Sequence, residues 1–232
     1  MIKLTDVTKT YEAGGVRTEA LKGVSLEIED GELAVILGPS GSGKSTLLNV
    51  ISGLDTVTSG SIIYNGNELT EFSDTEMTRF RREQLGFIFQ QYNLFPNLTV
   101  LENIQIGAEI GNEPLNVEEL LKRVGLYDLR NKYPWQLSGG EQQRVSIARS
   151  LAKNPEIIFC DEPTGSLDEE NSKQILAILQ ELNEEFGTMI IVITHNTGIA
   201  EMAHKVIRMN SGQIISNTVN PVRKRARDIS WS

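Results

Sequence analysis

The chain has 232 residues, of which 39% are hydrophobic and 23% charged, as is usual for a soluble domain that buries its own core. Its net charge of −9 disfavours duplex DNA as a partner, because DNA-binding proteins neutralise many phosphates with lysine and arginine. A single cysteine, Cys160, excludes an intramolecular disulfide, and no run approaches the ~20 apolar residues of a membrane-spanning helix.

The first third of the chain is predicted to be rich in strands. Its first two strands alternate partly between apolar and polar side chains, which is typical of an antiparallel sheet. The third is a continuous apolar run, LAVIL, which indicates a buried parallel strand. The elements expected here are strands at 2–8, 20–29, 33–37 and 61–64, and a helix at 44–52.

The middle of the chain is predicted to be mostly helical. Ser73 with Glu76, and Ser138 with Glu141, have the spacing of a capping box, which closes the first turn of a helix. These helices interrupt the alternation of strands and helices, so we expect them to form a lobe of their own. The elements expected here are helices at 73–84, 100–107, 117–124 and 138–152, and a strand at 85–90.

In the last third, strands and helices alternate again. Ser166 and Glu169 have capping-box spacing, and the helix that they open is expected to end at Gly187. The residues from Asn217 onward are polar and are expected to be irregular. The strands expected here are 157–160, 189–194, 205–209 and 213–216.

The glycine-rich loop after the third strand reads GPSGSGKST and fits the phosphate-binding pattern G-x-x-x-x-G-K-[ST]. In such a loop, backbone N–H groups surround phosphates, Lys44 supplies positive charge at the β- and γ-phosphates, and Ser45 offers a hydroxyl to Mg²⁺. The helix that follows adds partial positive charge. The predicted binding residues are Gly38, Pro39, Ser40, Gly41, Ser42, Gly43, Lys44, Ser45 and Thr46.

Two acidic residues, Asp161 and Glu162, directly follow the apolar strand 157–160. Acidic residues at the end of a buried strand lie beside the phosphates in P-loop proteins. We expect Asp161 to hold Mg²⁺, usually through water, and Glu162 to polarise an attacking water as general base. The alternative is a turn with two solvated carboxylates, which the nearby phosphate loop disfavours.

A second anion site is indicated by residues 137–144, LSGGEQQR. Ser138, Gly139 and Gly140 lie at an expected helix amino terminus, where free N–H groups favour an anion, and Glu141 completes the cap. An anion site far in sequence from the phosphate loop is unusual unless it serves another molecule. The alternative is an ordinary, well-capped helix.

LSGGEQQR is the signature of one family, and over residues 1–216 the chain resembles the ATP-binding cassette (ABC) ATPases. The resemblance implies one α/β domain: a P-loop NTPase (RecA-like) core with a mostly parallel sheet, an amino-terminal antiparallel β subdomain and a helical subdomain. Residues 1–71 and 153–216 would form the core with its antiparallel part. Residues from about 72 to 152 would form the Q-loop and helical subdomain, and residues 217–232 a tail.

The resemblance also implies roles for single residues. Gln90 matches the Q-loop glutamine, which meets Mg²⁺ and the attacking water; Gln91 competes for this role, but the position directly after the strand favours Gln90. Asp168 in GSLD matches the D-loop, which spans the dimer interface. His195 in VITH matches the switch histidine that contacts the γ-phosphate. Tyr11 lies where the family stacks an aromatic ring on adenine, the alternative being a surface tyrosine.

The implied function is that of the ATP-binding and ATP-hydrolysing motor subunit of an ABC transporter. Two copies would close around two Mg-ATP, and each signature would cover the γ-phosphate held by the other copy. Segments such as GFIFQQYNLFPNLTVLENI and DEPTGSLD resemble the branch that contains MacB and LolD. That branch implies a separate membrane permease of the MacB/FtsX type, a cytoplasmic position on the inner face of the cell membrane, and no nucleic-acid partner.

Other functions of the family stay open. A regulatory ABC ATPase that signals through a membrane partner without transport would use the same residues, and an importer is also possible. A soluble ABC ATPase of nucleic-acid metabolism is disfavoured, because this acidic chain has no long coiled-coil insertion. The basic segment 223–227 predicts either a solvated, disordered tail or attraction to anionic lipid near the permease.

Overall fold

The computed structural model describes residues 1–231 and places their strands in two sheets. The strands are β1 (Ile2–Ala13), β2 (Val16–Ile28), β3 (Leu33–Leu37), β4 (Ser59–Tyr64), β5 (Asn67–Glu68), β6 (Leu85–Phe89), β7 (Ile157–Asp161), β8 (Met189–Thr194), β9 (Lys205–Asn210) and β10 (Gln213–Val219). The antiparallel sheet has the order β2-β1-β4-β5 and the larger sheet the order β10-β9-β3-β8-β7-β6. Within the larger sheet β9, β3, β8, β7 and β6 run parallel, and β10 is antiparallel to β9. The predicted α/β class is confirmed.

The first two strands are longer than the sequence predicted. They pair antiparallel all the way to Ala13 opposite Val16, whereas the apolar alternation stops near residue 8 on one strand and begins near residue 20 on the other. Most of the added residues are exposed; Lys9 is the exception, being buried, and Thr10 is half-buried. An exposed hairpin needs no apolar alternation, and for this reason the sequence pattern did not show it.

Strand register in the parallel sheet decides where the functional residues meet. Leu37 pairs with Thr194, Ile193 with Asp161, and Asp161 with Phe89, so the carboxyl ends of four strands are aligned. The loops that follow these strands therefore leave the sheet at one edge. The chain reaches the glycine loop, Gln90, Glu162 and His195 from that edge.

The core lies on both faces of this sheet, as the alternation of β3 shows. Leu33, Val35 and Leu37 belong to a cluster with the helices of the middle of the chain. Ala34 and Ile36 face the opposite way, into a cluster with the antiparallel sheet and the helix after the glycine loop. All five side chains are buried, which explains why this strand reads as a continuous apolar run.

Six α-helices occur among the described residues, and three of them begin at a capping box. The predicted boxes Ser73–Glu76 and Ser138–Glu141 are confirmed, and a third, at Thr99, was not predicted. None of the six is long and apolar enough to cross a membrane. The helices are α1 (Lys44–Ile51), α2 (Asp74–Gln84), α3 (Val100–Glu109), α4 (Val117–Arg123), α5 (Gly139–Ala152) and α6 (Glu169–Phe186).

The predicted capping box at the start of α6 is wrong. Asp168 is the capping residue, and its side chain accepts a hydrogen bond from the backbone N–H of Asn171 at 2.8 Å. Ser166 lies three residues before the helix, inside the turn that follows Glu162. The error arose because Ser-x-x-Glu and Asp-x-x-Asn overlap here, and both have the spacing of an amino-terminal cap.

The stretch between residues 72 and 152 divides in the structure. β6 pairs with β7 inside the parallel sheet, and Phe80 of α2 packs into the cluster with the antiparallel sheet. α3, α4 and α5 pack against one another and supply much of the other cluster. The subdomain boundaries taken from the family resemblance stay a prediction.

The carboxy-terminal segment is docked against the core, so the expectation of a solvated, disordered tail is wrong, while the irregular stretch expected from Asn217 begins only after Val219. β10 runs to Val219, and a 3₁₀ turn follows at Ala226–Asp228. Ala226 and Ile229 are buried. The backbone N–H of Ala226 donates to the side chain of Gln180 on α6, at 2.9 Å. Polar composition hid this docking, because only a few apolar side chains anchor it: Ala226 and Ile229, with Trp231 packed against the same cluster.

Candidate functional site

A cleft of about 670 Å³ opens at the edge where the parallel strands end. It brings together the residues that the sequence analysis assigned to phosphate, magnesium and water. These residues form one wall of the cleft, and β2 and the β9–β10 turn form the opposite wall. The cleft is lined by Thr18, Glu19, Ala20, Lys22, Ser40, Gly41, Ser42, Gly43, Lys44, Ser45, Thr46, Gln90, Asp161, Glu162, Ile193, His195, Ser211 and Gly212.

The glycine loop wraps around the side chain of Lys44. Nζ of Lys44 donates to the backbone carbonyls of Gly38 and Pro39 at 2.8 and 3.0 Å, and the side chain is buried. Gly43 has φ 97°, and a Cβ there would lie 2.6 Å from the carbonyl oxygen of Ala20. The loop therefore needs glycine at this position, and it holds the ammonium group over its own centre.

Ser42, at the centre of the loop, has a buried hydroxyl without a hydrogen-bond partner among the described residues. A buried polar group without a partner costs free energy, and such groups are rare in folded proteins. The hydroxyl is sealed from solvent beside Gly38, where a Cβ would lie 2.5 Å from it, so a phosphate would reach it only after the loop moves. The residues of the loop from Ser40 to Thr46 line the cleft, which suits the anion that the loop pattern predicts.

Asp161 lies at the end of β7 next to the side chain of Ser45. Burial and then the charge of neighbouring Glu162 raise the pKa of Asp161, while Lys44 and the hydroxyl of Ser45 act in the opposite direction. A cation between these oxygens would offset both the burial and the repulsion. A hydroxyl and a carboxylate are donors that suit Mg²⁺, which keeps several waters and binds few protein ligands.

The described residues contain no cluster of three or more His, Cys, Asp and Glu side chains that could hold a metal ion alone. A magnesium ion here would depend on phosphate oxygens and water for its remaining ligands. That is the usual arrangement of Mg²⁺ in nucleotide sites. The residues present therefore fit an ion that arrives with its nucleotide; Ser45, Asp161 and Gln90, the predicted ligands, all line the cleft.

Glu162 is held at both carboxylate oxygens. Oε1 lies 2.9 Å from Nδ1 of His195, and Oε2 accepts a hydrogen bond from the hydroxyl of Thr194 at 3.1 Å. The backbone of Glu162 has φ 49°, and its N–H donates to the carbonyl of Ile193 at 2.9 Å. A non-glycine residue in this region is uncommon and is often found at functional sites. The structure thus joins the two predicted catalytic side chains directly.

Thr194 was not singled out from the sequence. Its hydroxyl accepts from the backbone N–H of Asn196 at 3.1 Å while it donates to Glu162, and the side chain is 1% exposed. The hydroxyl therefore has a defined direction. A threonine at the end of an apolar strand gives no signal of such a contact, because its partner Glu162 follows the neighbouring strand and is distant in sequence.

Gln90 lines the cleft, and its side chain packs over Gly165, where a Cβ would lie 2.9 Å from its Nε2. Gln143, inside the LSGGEQQR motif, is buried and was missed by the sequence analysis. Its Nε2 donates to the carbonyl of Pro163 at 2.8 Å. Gln143 therefore connects the signature helix to the turn that follows Glu162.

Tyr11 lies outside the cleft lining, on β1 beside α1. Its hydroxyl donates to Asp55 at 2.8 Å, and Nζ of Lys9 lies 5.0 Å from its ring centre and donates to the same carboxylate at 2.6 Å. Burial, followed by the hydrogen bond to Asp55, raises the pKa of Tyr11, and the hydroxyl of Thr46 is close enough to act in the opposite direction. The ring is therefore fixed and is partly exposed beside the end of the phosphate loop.

The signature residues do not line the cleft of their own chain. Ser138 caps α5, where its N–H donates to Glu141 at 2.7 Å and its hydroxyl accepts from the N–H of Glu141 at 3.3 Å. A Cβ on Gly140 would lie 2.4 Å from Oδ1 of Asn171, so a larger residue there would displace the Asn171 side chain. Asn171 also donates to both carboxylate oxygens of Asp168, at 3.1 and 2.9 Å. The signature and the predicted D-loop form one surface, apart from the phosphate loop.

Comparison with known proteins agrees with this arrangement. A family model described as "ABC transporter" matches residues 21–165, which is more than half of the chain. The chain belongs to the ABC transporter family. A putative ABC transporter ATP-binding protein of Mycoplasma pneumoniae, the MG065 homolog, is 48% identical over 235 residues and matches 100% of this chain. The macrolide export ATP-binding/permease protein MacB of Shigella flexneri is 43% identical over 94% of this chain.

The chain spans 50% of the length of the Mycoplasma protein and 34% of MacB. A solved structure is similar to this chain over almost its whole length. It is the dimeric structure of a post-hydrolysis state of the ATP-binding cassette MJ0796 bound to ADP and Pi. It is 42% identical, covers 94% of this chain and 98% of its own, and has a TM-score of 0.85. MJ0796 is an ABC transporter ATP-binding protein of Methanocaldococcus jannaschii. This chain thus has the fold of such cassettes.

Proposed function

We propose that the chain is an ATP-hydrolysing motor that works as a pair: two copies close around two Mg-ATP and drive a membrane permease on a separate chain. The observation that carries this proposal is the division of the phosphate-binding groups into two surfaces. The phosphate loop, Asp161 and Glu162 line one cleft, while Ser138 and Gly140 lie on another surface of the same chain. A second copy supplies the missing half.

The charged and polar side chains that follow the parallel strands then have roles in the hydrolysis of ATP to ADP and phosphate. Lys44 neutralises the phosphate charge, and Ser45, Gln90 and Asp161 would hold Mg²⁺, which would supply further positive charge when bound. Glu162 accepts the proton of the water that attacks the γ-phosphorus.

His195 is proposed to contact both Glu162 and the γ-phosphate. Its Nδ1 faces Glu162 at 2.9 Å, and the side chain is mostly exposed to the open cleft. An exposed imidazole that borders the cleft has room to turn toward a γ-phosphate. His195 therefore orients Glu162 and contacts the phosphate.

The surface toward the permease is proposed to be the segment that follows Gln90, from Gln91 to Leu101. Asn103, which is buried, holds this segment by donating to the carbonyls of Phe95 and Leu98 at 3.1 and 3.0 Å. Phe95 itself is half exposed. A rigid loop with an exposed ring next to Gln90 could transmit a movement of the cleft. The likeness to MacB supports a permease of that type and a position on the inner face of the membrane.

The test is partner capture with a trapped protein. A tagged Glu162→Gln variant binds Mg-ATP without cleaving it, and gently solubilised membranes are then searched for co-purifying proteins by mass spectrometry. Lys44→Ala is the matched control that cannot hold ATP. We expect a few-helix permease with a large outer domain only with Glu162→Gln. Recovery of only soluble proteins or nucleic acid would contradict the proposal.

A further inference from the structure

Two exposed aromatic rings stand directly before the signature. Tyr133 and Trp135 stack with their ring centres 6.1 Å apart and their planes 7° from parallel, and Trp135 is 73% exposed. Trp135 is the most exposed aromatic side chain among the described residues. Exposed tryptophan is unusual on a soluble surface, and it is concentrated where proteins bind partners.

The turn that carries these rings is rigid. Pro134 opens a 3₁₀ turn, Pro134–Gln136, in which the N–H of Tyr133 donates to the side chain of Gln136 and the N–H of Gln136 donates to the carbonyl of Tyr133, both at 2.9 Å. Ser138 follows two residues after the turn. Three residues of extended chain span roughly 10 Å at most, so the ring of Trp135 is anchored close to the signature's anion site.

The cleft offers little for the base of a nucleotide. No Phe, Tyr or Trp is among its lining residues, and Tyr11 lies at its margin. A base held through its phosphates at the glycine loop therefore meets at most one aromatic ring of its own chain. Its other face is left to solvent or to whatever covers the cleft.

We propose that Trp135, supported by Tyr133, stacks on the base or ribose of the ATP that the second copy holds. This inference rests on the proposed pairing, in which Ser138 and Gly140 cover the partner's γ-phosphate. The signature fixes the phosphate end of that nucleotide, and the aromatic turn beside it covers the other end. Stacking on an aromatic ring tolerates any base, so the contact adds affinity for nucleotide without strong selection of the base.

The test uses the fluorescence of Trp135 itself. The chain has two tryptophans, and Trp231 packs against the core. A Glu162→Gln/Trp231→Phe protein leaves Trp135 as the only reporter. We expect Mg-ATP to shift and quench its emission as the dimer forms, with the same dependence on protein concentration as the mass measured by light scattering.

Binding energies give the second measurement. Trp135→Ala in the Glu162→Gln background should raise the ATP concentration that gives half-maximal dimer by about 5- to 150-fold, the range for loss of base stacking. Trp135→Phe keeps an aromatic ring, so its half-maximal ATP concentration should be close to that of the parent Glu162→Gln protein. Ile215→Ala is the matched control, because it removes another exposed apolar side chain, on β10, and should change nothing.

The outcomes separate this inference from the proposed function. If the Glu162→Gln protein stays monomeric with Mg-ATP, both the proposed pairing and the aromatic contact are wrong. If it dimerises normally while Trp135→Ala has no effect and the emission does not change, only the aromatic contact is wrong. If Trp135→Ala instead abolishes permease capture with dimerisation intact, the rings belong to the membrane partner's surface and the inference is overturned.

Discussion

The hydrogen bond from Thr194 to Glu162 gives the sharpest prediction for the catalytic centre. The hydroxyl lies 3.1 Å from Oε2 and is oriented by the N–H of Asn196, also at 3.1 Å. Thr194→Val keeps the shape of the side chain but removes the donor. A hydrogen bond to a charged group contributes about 1.5–3 kcal/mol, and each 1.36 kcal/mol in the barrier is tenfold in rate. We expect kcat for ATP hydrolysis to fall about 10- to 100-fold.

The split between kinetic parameters distinguishes positioning from nucleotide binding. Thr194 is not among the cleft-lining residues, so the KM for ATP should stay the same while kcat falls. Thr194→Ser keeps the hydroxyl and should retain most of the activity. The valine variant also leaves the buried N–H of Asn196 unpaired, which should lower the free energy of unfolding by about 1–3 kcal/mol. Phosphate release by the folded valine variant at the wild-type kcat would refute the reasoning.

Three further predictions follow from separate parts of the fold. Lys44→Ala should abolish ATP binding measured by calorimetry, because the loop would lose its one buried cation; undiminished binding would remove the phosphate-loop assignment. Ala226→Asp puts a carboxylate into a buried site, so the tail should undock and trypsin should cut near residue 225 much faster than in the wild type. An equally fast cut in the wild type would contradict the docked tail.

The third concerns His204, whose Nδ1 accepts from the N–H of Leu33 at 2.9 Å. Burial, and then the charge of Arg223, lower the pKa of His204, so its stabilising effect is complete above about pH 6.5 and is lost as the pH falls below that. The difference in unfolding free energy between wild type and His204→Asn should shrink on going from pH 7.5 to 5.5 in urea titrations. A difference in unfolding free energy that does not change with pH would contradict the proposed stabilisation by neutral His204.

The sequence predicted the parts of the site that depend on local order. The glycine loop, Asp161, Glu162 and His195 each follow a buried strand, and parallel strands deliver their carboxyl ends to one edge. What the sequence did not show are contacts between side chains distant in the chain. Gln143 reaches Pro163, and Thr194 reaches Glu162, and neither has a periodic or motif signal.

Errors arose where a polar pattern had two meanings. The turn before α6 contains two overlapping caps, of which the structure uses Asp168. The tail is polar along most of its length, but Lys224 and Arg225 pair with Glu201 and Glu184 on the core. Two of the basic side chains of segment 223–227, which the sequence analysis considered for binding anionic lipid, are therefore paired with glutamates of the same chain.

The central claim is that each ATP lies between two copies of the chain. The most direct measurement is the mass of Glu162→Gln in analytical ultracentrifugation, with and without Mg-ATP, at high protein concentration and low salt. Ser138→Arg in the same background is the control, since it blocks the signature surface but leaves the phosphate loop intact. The account predicts a dimer only with Mg-ATP and only with Ser138 present. A monomer under all of these conditions, in protein that binds ATP, would contradict it.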